Sequence, residues 1–211
     1  MVGGDLATVY PLRMAAGILY GLVDVREWLL GYADRFPHGE SEIEAIVKQL
    51  EKGVALKTSS CGRVLDAVSA LLGICYERTF EGELAMKLES AAVRGKDMLG
   101  LEPKIGSNVV DTSFLLNTIF NNKKKYSVAD LAYSAEDYLA KSLAELAVNE
   151  AERLDVKAIG FSGGVAYNEH ITKTIRQRIE EDGIKFITHR LIPAGDAGTS
   201  TGQTIVANFT I

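Results

Sequence analysis

The sequence predicts a helix-rich α/β protein, and three observations carry that prediction. Apolar residues recur at three- and four-residue steps through most of the first 154 positions. Two short apolar runs near the end are each followed by a glycine-rich turn and a further helical pattern. The composition, 47% hydrophobic and 24% charged over 211 residues, is that of an ordinary globular chain long enough to bury a core without cross-links. The net charge of −5 argues against affinity drawn from nucleic-acid phosphates, so no nucleic-acid partner is expected. Two cysteines, Cys61 and Cys75, make neither a disulfide framework nor a four-ligand zinc site, and reduced intracellular thiols are the default reading.

From Pro11 to Tyr32, Leu12, Ala15, Ile18, Leu19, Leu22, Val25 and Leu29 mark one face of an amphipathic helix. Within it, Met14–Val23 is the longest uncharged apolar run, about half of the roughly 20 residues that span a bilayer. It has no basic stretch before it and no small-residue cleavage site after it, so no targeting or membrane segment is read, and the cytoplasm is expected by default. Pro37 and Gly39 break the pattern. Ser41–Leu50 is a helix with Glu44 at the capping-box position, Ser59–Leu72 one stopped by Gly73, and Glu81–Val93 another. Gly95, Gly100, Pro103 and Gly106 mark the best candidate boundary, dividing a helical region (1–95) from a C-terminal α/β lobe (96–211). Asp111–Phe120 is ambiguous between strand and helix, Asn121–Lys125 is a polar loop, and Ser127–Leu154 is a long helix.

The rhythm then changes. Lys157–Phe161 is a short strand, SGGVAYN a turn, and His170–Glu181 a helix; Lys185–His189, PAGDAGTSTGQ and Gly202–Phe209 repeat that order. Strand–loop–helix twice is the grammar of a parallel sheet with ligand loops at the carboxyl ends of its strands. Two strands are too few for a stable parallel sheet, so the sequence points to further strands supplied from elsewhere.

Three segments could carry chemistry. Ser162–Gly163–Gly164 lets backbone amides approach an anion, with the next helix start adding its dipole and Asn168 near that start; a plain turn with an asparagine cap fits the same residues. In Gly195–Ser200, Asp196 is flanked by residues too small to shield it, although Asp196 or Thr199 could equally be a helix cap. In Ser59–Gly73, Gly62, Asp66, Ser69 and Gly73 stack on the face opposite Val64, Leu65, Val68, Leu71 and Leu72. That face could offer Asp66 to sugar hydroxyls, or could admit a close-packed helix beside a solvated Asp66. The histidines (His38, His170, His189) have no metal-ligand spacing, and no Ser/His/Asp arrangement stands out.

At these same places the chain resembles a known family. Thr58–Glu89, Phe161–Glu169 (FSGGVAYNE) and His189–Gln203 (HRLIPAGDAGTSTGQ), with the opening GGDLATVYPLRMA, resemble the carbamoyltransferase domain of HypF-type hydrogenase-maturation proteins. More distantly they resemble the threonylcarbamoyl-tRNA transferases of the same actin-like ATPase superfamily. The resemblance implies a partial actin-like/RNase H-like lobe with parallel strands and an inserted helical region. It implies that ATP or a carbamoyl-adenylate binds in a cleft, and that the carbamoyl group passes to the C-terminal cysteine of a maturation partner. It assigns Asp66 to the ribose, Gly82 to the loop near the nucleotide, Ser162, Gly163 and Gly164 to the phosphate turn, and Asn168 to a place beside it. It makes Asp196 one ligand of a divalent metal (iron, zinc or magnesium) whose histidine pair falls upstream of this chain. Ala197 departs from the asparagine or glycine that commonly follows that aspartate. The resemblance therefore implies a fragment, or one half of a split enzyme completed by an upstream chain, with self-association through an open sheet edge as the other outcome. Two further readings are a nucleotide-binding module without turnover and a tRNA threonylcarbamoyladenosine-type transferase.

Overall fold

The computed structural model describes residues 1–210. The helices are Leu6–Val9 (α1), Leu12–Leu19 (α2), Val25–Leu30 (α3), Gly39–Glu51 (α4), Cys61–Leu71 (α5), Glu83–Ala92 (α6), Thr112–Asn122 (α7), Val128–Leu154 (α8), Glu169–Glu181 (α9) and Thr199–Thr210 (α10). The strands are Ile105–Gly106 (β1), Val109–Val110 (β2), Ala158–Phe161 (β3) and Lys185–Thr188 (β4). The expected helix-rich α/β architecture is what the chain adopts.

Side-chain caps explain several of the helix starts. Ser60 caps α5, Asp111 caps α7, Ser127 caps α8 and Asn168 caps α9, each accepting a hydrogen bond from an amide three residues on. The single helix expected over Pro11–Tyr32 is instead two. Gly21 takes a left-handed φ of 81°, and the Asp24 carboxylate accepts from the Glu27 amide to start α3 afresh. Splitting the helix lets Leu12, Ala15 and Leu19, then Val25 and Leu29, reach the core from two directions while Leu22 is left exposed. The ambiguous stretch after residue 111 is helical, so Asn121 and Asn122 close α7 rather than forming a loop, and the last helix begins at Thr199 rather than Gly202.

The long helix α8 organises the molecule, packing against α5, α6, α7 and α9 and against β2 and β3. One core cluster runs from Val2 through Leu65, Leu116 and Tyr138 to Phe186, crossing the division drawn at residue 95 without a break. Gly95 sits so close to α8 that a Cβ there would come within 2.1 Å of the Ala129 carbonyl oxygen. The β1–β2 hairpin is tied down from below: the buried Tyr138 hydroxyl donates to the Asp111 carbonyl (2.9 Å) and accepts from the Lys104 amide (3.3 Å).

The second sheet is the parallel pair β3–β4, with Ile159 opposite Phe186 and Phe161 opposite Thr188. Helix α9 crosses between them and lays Ile171, Ile175 and Ile179 into the core beside Phe186. The opposite face carries the half-exposed Ile187, and the residues of α10 through Phe209 are exposed.

Candidate functional site

The parallel register of β3 and β4 decides what meets at their carboxyl ends. Phe161 pairs with Thr188, so the next residues, Ser162 and His189, face one another, and Ser162 Oγ lies 2.8 Å from His189 Nε2. Ser162 Oγ also donates to the Ala194 carbonyl (3.2 Å), to which the Gly163 amide donates as well (2.9 Å). The Gly195 amide donates to the Tyr167 hydroxyl (3.0 Å). The two glycine-rich loops, expected at the carboxyl ends of the two strands, are cross-tied there into one edge. Sequence spacing hid the Ser162–His189 pair, because the two residues become neighbours only through strand register.

Gly163 has φ 100° and ψ 174°, a conformation open to glycine, and it turns the chain into a 3-10 helix at Gly164–Tyr167. The Gly164 and Val165 amides that begin this turn have no hydrogen-bond partner among the described residues. They are the donors this edge leaves open to an anion.

The helix N-terminus behind them is not open, which corrects one expectation. The Asn168 Oδ1 accepts from the Ile171 amide (2.8 Å), and Glu89, reaching over from α6, accepts from the Glu169 amide at 2.7 Å. A carboxylate of the protein's own already sits where an anion would meet the start of α9. The Asn168 side chain is turned inward, its Nδ2 donating to Glu136 Oε1 at 2.9 Å. Glu136 is 0% exposed, and its Oε2 has no hydrogen bond. Burial pushes its carboxyl up to about 7, against the downward pull of the Asn168 bond and of His170, with Glu89 adding to the rise.

Asp66 lies on α5, which packs against both α6 and the Gly164–Tyr167 turn. It is 1% exposed, not solvated, because α5 is covered on nearly every side. Burial raises its carboxyl to about 6, opposed by Arg63 and Arg78. Arg63 Nη2 stands 2.9 Å from Oδ2, yet that oxygen makes no aligned hydrogen bond. Gly82 has a left-handed φ of 78° and sits at the start of α6. Its turn is fixed by Glu83, which accepts from the Thr79 amide and hydroxyl and from Lys87; the Lys87 bond and the two Thr79 bonds hold Glu83 down near 2. Cys61 and Cys75 are free thiols, and burial pushes Cys61 up to about 11, away from a reactive thiolate.

Asp196 begins a short 3-10 turn in the second loop and is exposed. No three His, Cys, Asp or Glu side chains among the described residues group into a metal site. Asp196 alone is one carboxylate and does not make up the donor set that holds a divalent ion.

These residues stand in a chain whose relatives are known. The family model described as carbamoyltransferase, Kae1-like domain, second subdomain (HypF_C_2), matches residues 1–203. The chain belongs to this family. A probable carbamoyltransferase HypF of Methanocaldococcus jannaschii is 41% identical over 208 residues, covering 96% of this chain and 26% of that protein. The crystal structure of T. kodakarensis HypF superposes with a TM-score of 0.87 at 38% identity, over 98% of this chain and 28% of that one. A full-length HypF in its phosphate- and nucleotide-bound form has a TM-score of 0.85 at 23% identity, covering all of this chain and 28% of that one, which shows the shared fold. This chain therefore spans about a quarter of the length of the HypF proteins it matches. Among the described residues no helix is long and apolar enough to cross a membrane.

Proposed function

We propose that the chain supplies one wall of the nucleotide cleft of a carbamoyltransferase, binding ATP or a carbamoyl-adenylate, and that the carbamoyl group is passed on to the C-terminal cysteine of a maturation partner. The observation that carries this reading is the pair of unpartnered amides at Gly164 and Val165, held at the carboxyl edge of a parallel sheet by the cross-tied loops. An anion at that edge gains two backbone donors that have no hydrogen-bond partner among the described residues. Phosphate is an anion that successive backbone amides in such turns hold.

In this reading Gly164 and Val165 donate to the phosphates, and Ser162 is fixed by His189 and the Ala194 carbonyl. The ribose hydroxyls reach Asp66 once its Oδ2, buried and 2.9 Å from Arg63 Nη2, is uncovered. The acceptor thiolate attacks the carbamoyl carbon, the bond to the adenylate oxygen breaks, and AMP leaves with that oxygen. The preceding part of the domain completes the cleft and covers the open face of β3–β4. A solved HypF bound to nucleotide and phosphate, sharing the fold, is consistent with this.

Calorimetric titration of ADP tests the reading on the full chain, alone and with the preceding subdomain added. We expect Asp66→Ala to weaken ADP by about tenfold, the loss of roughly one good hydrogen bond to a charged group. Carbamoyl transfer from a supplied carbamoyl-adenylate to a cysteine-ended peptide, with release of AMP, is expected with the preceding subdomain present. An absence of ADP binding in both arrangements overturns the reading.

A further inference from the structure

We propose that Glu136 is a positioning residue for the phosphate turn, setting its shape through Asn168. The inference rests on the nucleotide reading above and adds to it a residue of the central helix that touches no ligand.

Asn168 is the joint between the Gly164–Tyr167 turn and α9. Its backbone amide closes the turn onto the Val165 carbonyl (3.0 Å), and its Oδ1 caps α9 through the Ile171 amide. An asparagine amide presents a donor on one side and an acceptor on the other, so its role as cap requires that the nitrogen side be satisfied elsewhere. Glu136 Oε1 does this from α8, 32 residues away in sequence, and so selects the orientation that lets Asn168 cap. The Thr172 hydroxyl adds a second tie, donating to the Ala166 carbonyl (3.1 Å).

Glu136 holds its place at a cost. Its other carboxyl oxygen is buried with no partner, and Glu89 brings a second carboxylate to the same helix start. A buried acid with an orphaned oxygen is poor stabilising material, and an apolar residue on this face of α8 would suit the core better. Retaining the carboxyl makes sense for the turn it orients, whose two open amides are the donors of the proposed site.

Two measurements on the full chain test this. In the first, without nucleotide, hydrogen exchange is read at the Gly163, Ala166, Asn168 and Gly195 amides, which are bonded within the cross-tied loops. Glu136→Leu should speed their exchange about tenfold, and Glu136→Gln, which keeps an acceptor for Asn168, should restore protection. Asn168→Ser, a good helix cap too short to reach Glu136, should loosen the same amides while those of α9 keep their protection. It stands in if Glu136→Leu does not fold. In the second, Glu136→Leu should weaken ADP about tenfold and leave adenosine unchanged, because only the phosphate contacts depend on the turn.

Unchanged exchange in both Glu136→Leu and Asn168→Ser overturns the proposal. So does an equal loss for ADP and adenosine. If the unaltered chain fails to bind ADP even with the preceding subdomain, the nucleotide reading falls and the exchange measurement alone decides whether Glu136 shapes the turn.

Discussion

At the scale of single residues, Glu136 and Asp66 share a property that stability measurements can reach. Both are buried acids pushed upward, to about 7 and about 6, from ordinary values near 4.5 and 3.8. A group raised in the folded state favours folding below its unfolded value and loses that contribution as pH climbs through its folded value. For Glu136 the window runs from about 4.5 to 7, facing Asn168 and His170 on the α9 side and Glu89 on α6. A shift of that size corresponds to about 3 kcal/mol. Urea unfolding of the full chain should therefore show stability declining across this window, and Glu136→Gln should flatten the decline and exceed the unaltered chain above pH 7. An identical slope in both proteins would show that Glu136 does not titrate there. Sequence reading reached Asn168 as a helix cap because the strand–turn–helix order announces one. Glu136 escaped it, although an acid four residues after Ala132 and three before Leu139, on the buried stripe of α8, was the available signal.

At the scale of elements, the chain is legible where a cap and an apolar period agree and obscure where they compete. Helices α5, α8 and α9 begin at Ser or Asx caps, whereas α7 stayed ambiguous despite its Asp111 cap and the break between α2 and α3 was hidden by an apolar period that continues through it. Gly21 and Asp24 were its local markers. Gly95, one of the markers of the candidate boundary, has a second use that its type alone does not announce, since glycine there permits a close approach and not only a turn. A methyl group at Gly95 would meet the Ala129 carbonyl oxygen at 2.1 Å and the Tyr133 Cβ at 3.0 Å. Both neighbours belong to the first turns of α8 and cannot give way without moving that helix. Gly95→Ala is expected to destabilise the chain by about 2 kcal/mol, seen as a lower urea midpoint with an unchanged slope. A midpoint equal to that of the unaltered chain would mean that the segment before α8 shifts freely.

At the scale of the whole molecule, the helical body and the parallel strands are finished to different degrees. A single core spans α2 to α9, but among the described residues the β3–β4 pair is covered on one face, by α8 and α9. Ile187 is 47% exposed on the other face, Leu191 in the following loop is 98% exposed, and Phe209 on α10 is 85% exposed. Parallel strands are ordinarily buried on both faces, and open strand edges pair with whatever edge they meet. The sequence signalled this imbalance through its shortage of strands, but the identity of the exposed residues depends on the register of β4 and the placement of α10. The full chain by itself should associate in a concentration-dependent way, measurable by sedimentation equilibrium. Ile187→Lys with Phe209→Lys should shift it toward monomer. The two lysines bring the net charge from −5 to −3, reducing overall self-repulsion, so a fall in association would come from the lost apolar surface and not from charge. Adding the preceding subdomain should compete with self-association in the unaltered chain more effectively than in the variant. A monodisperse monomer at every concentration would mean that β3–β4 and α10 need no covering partner.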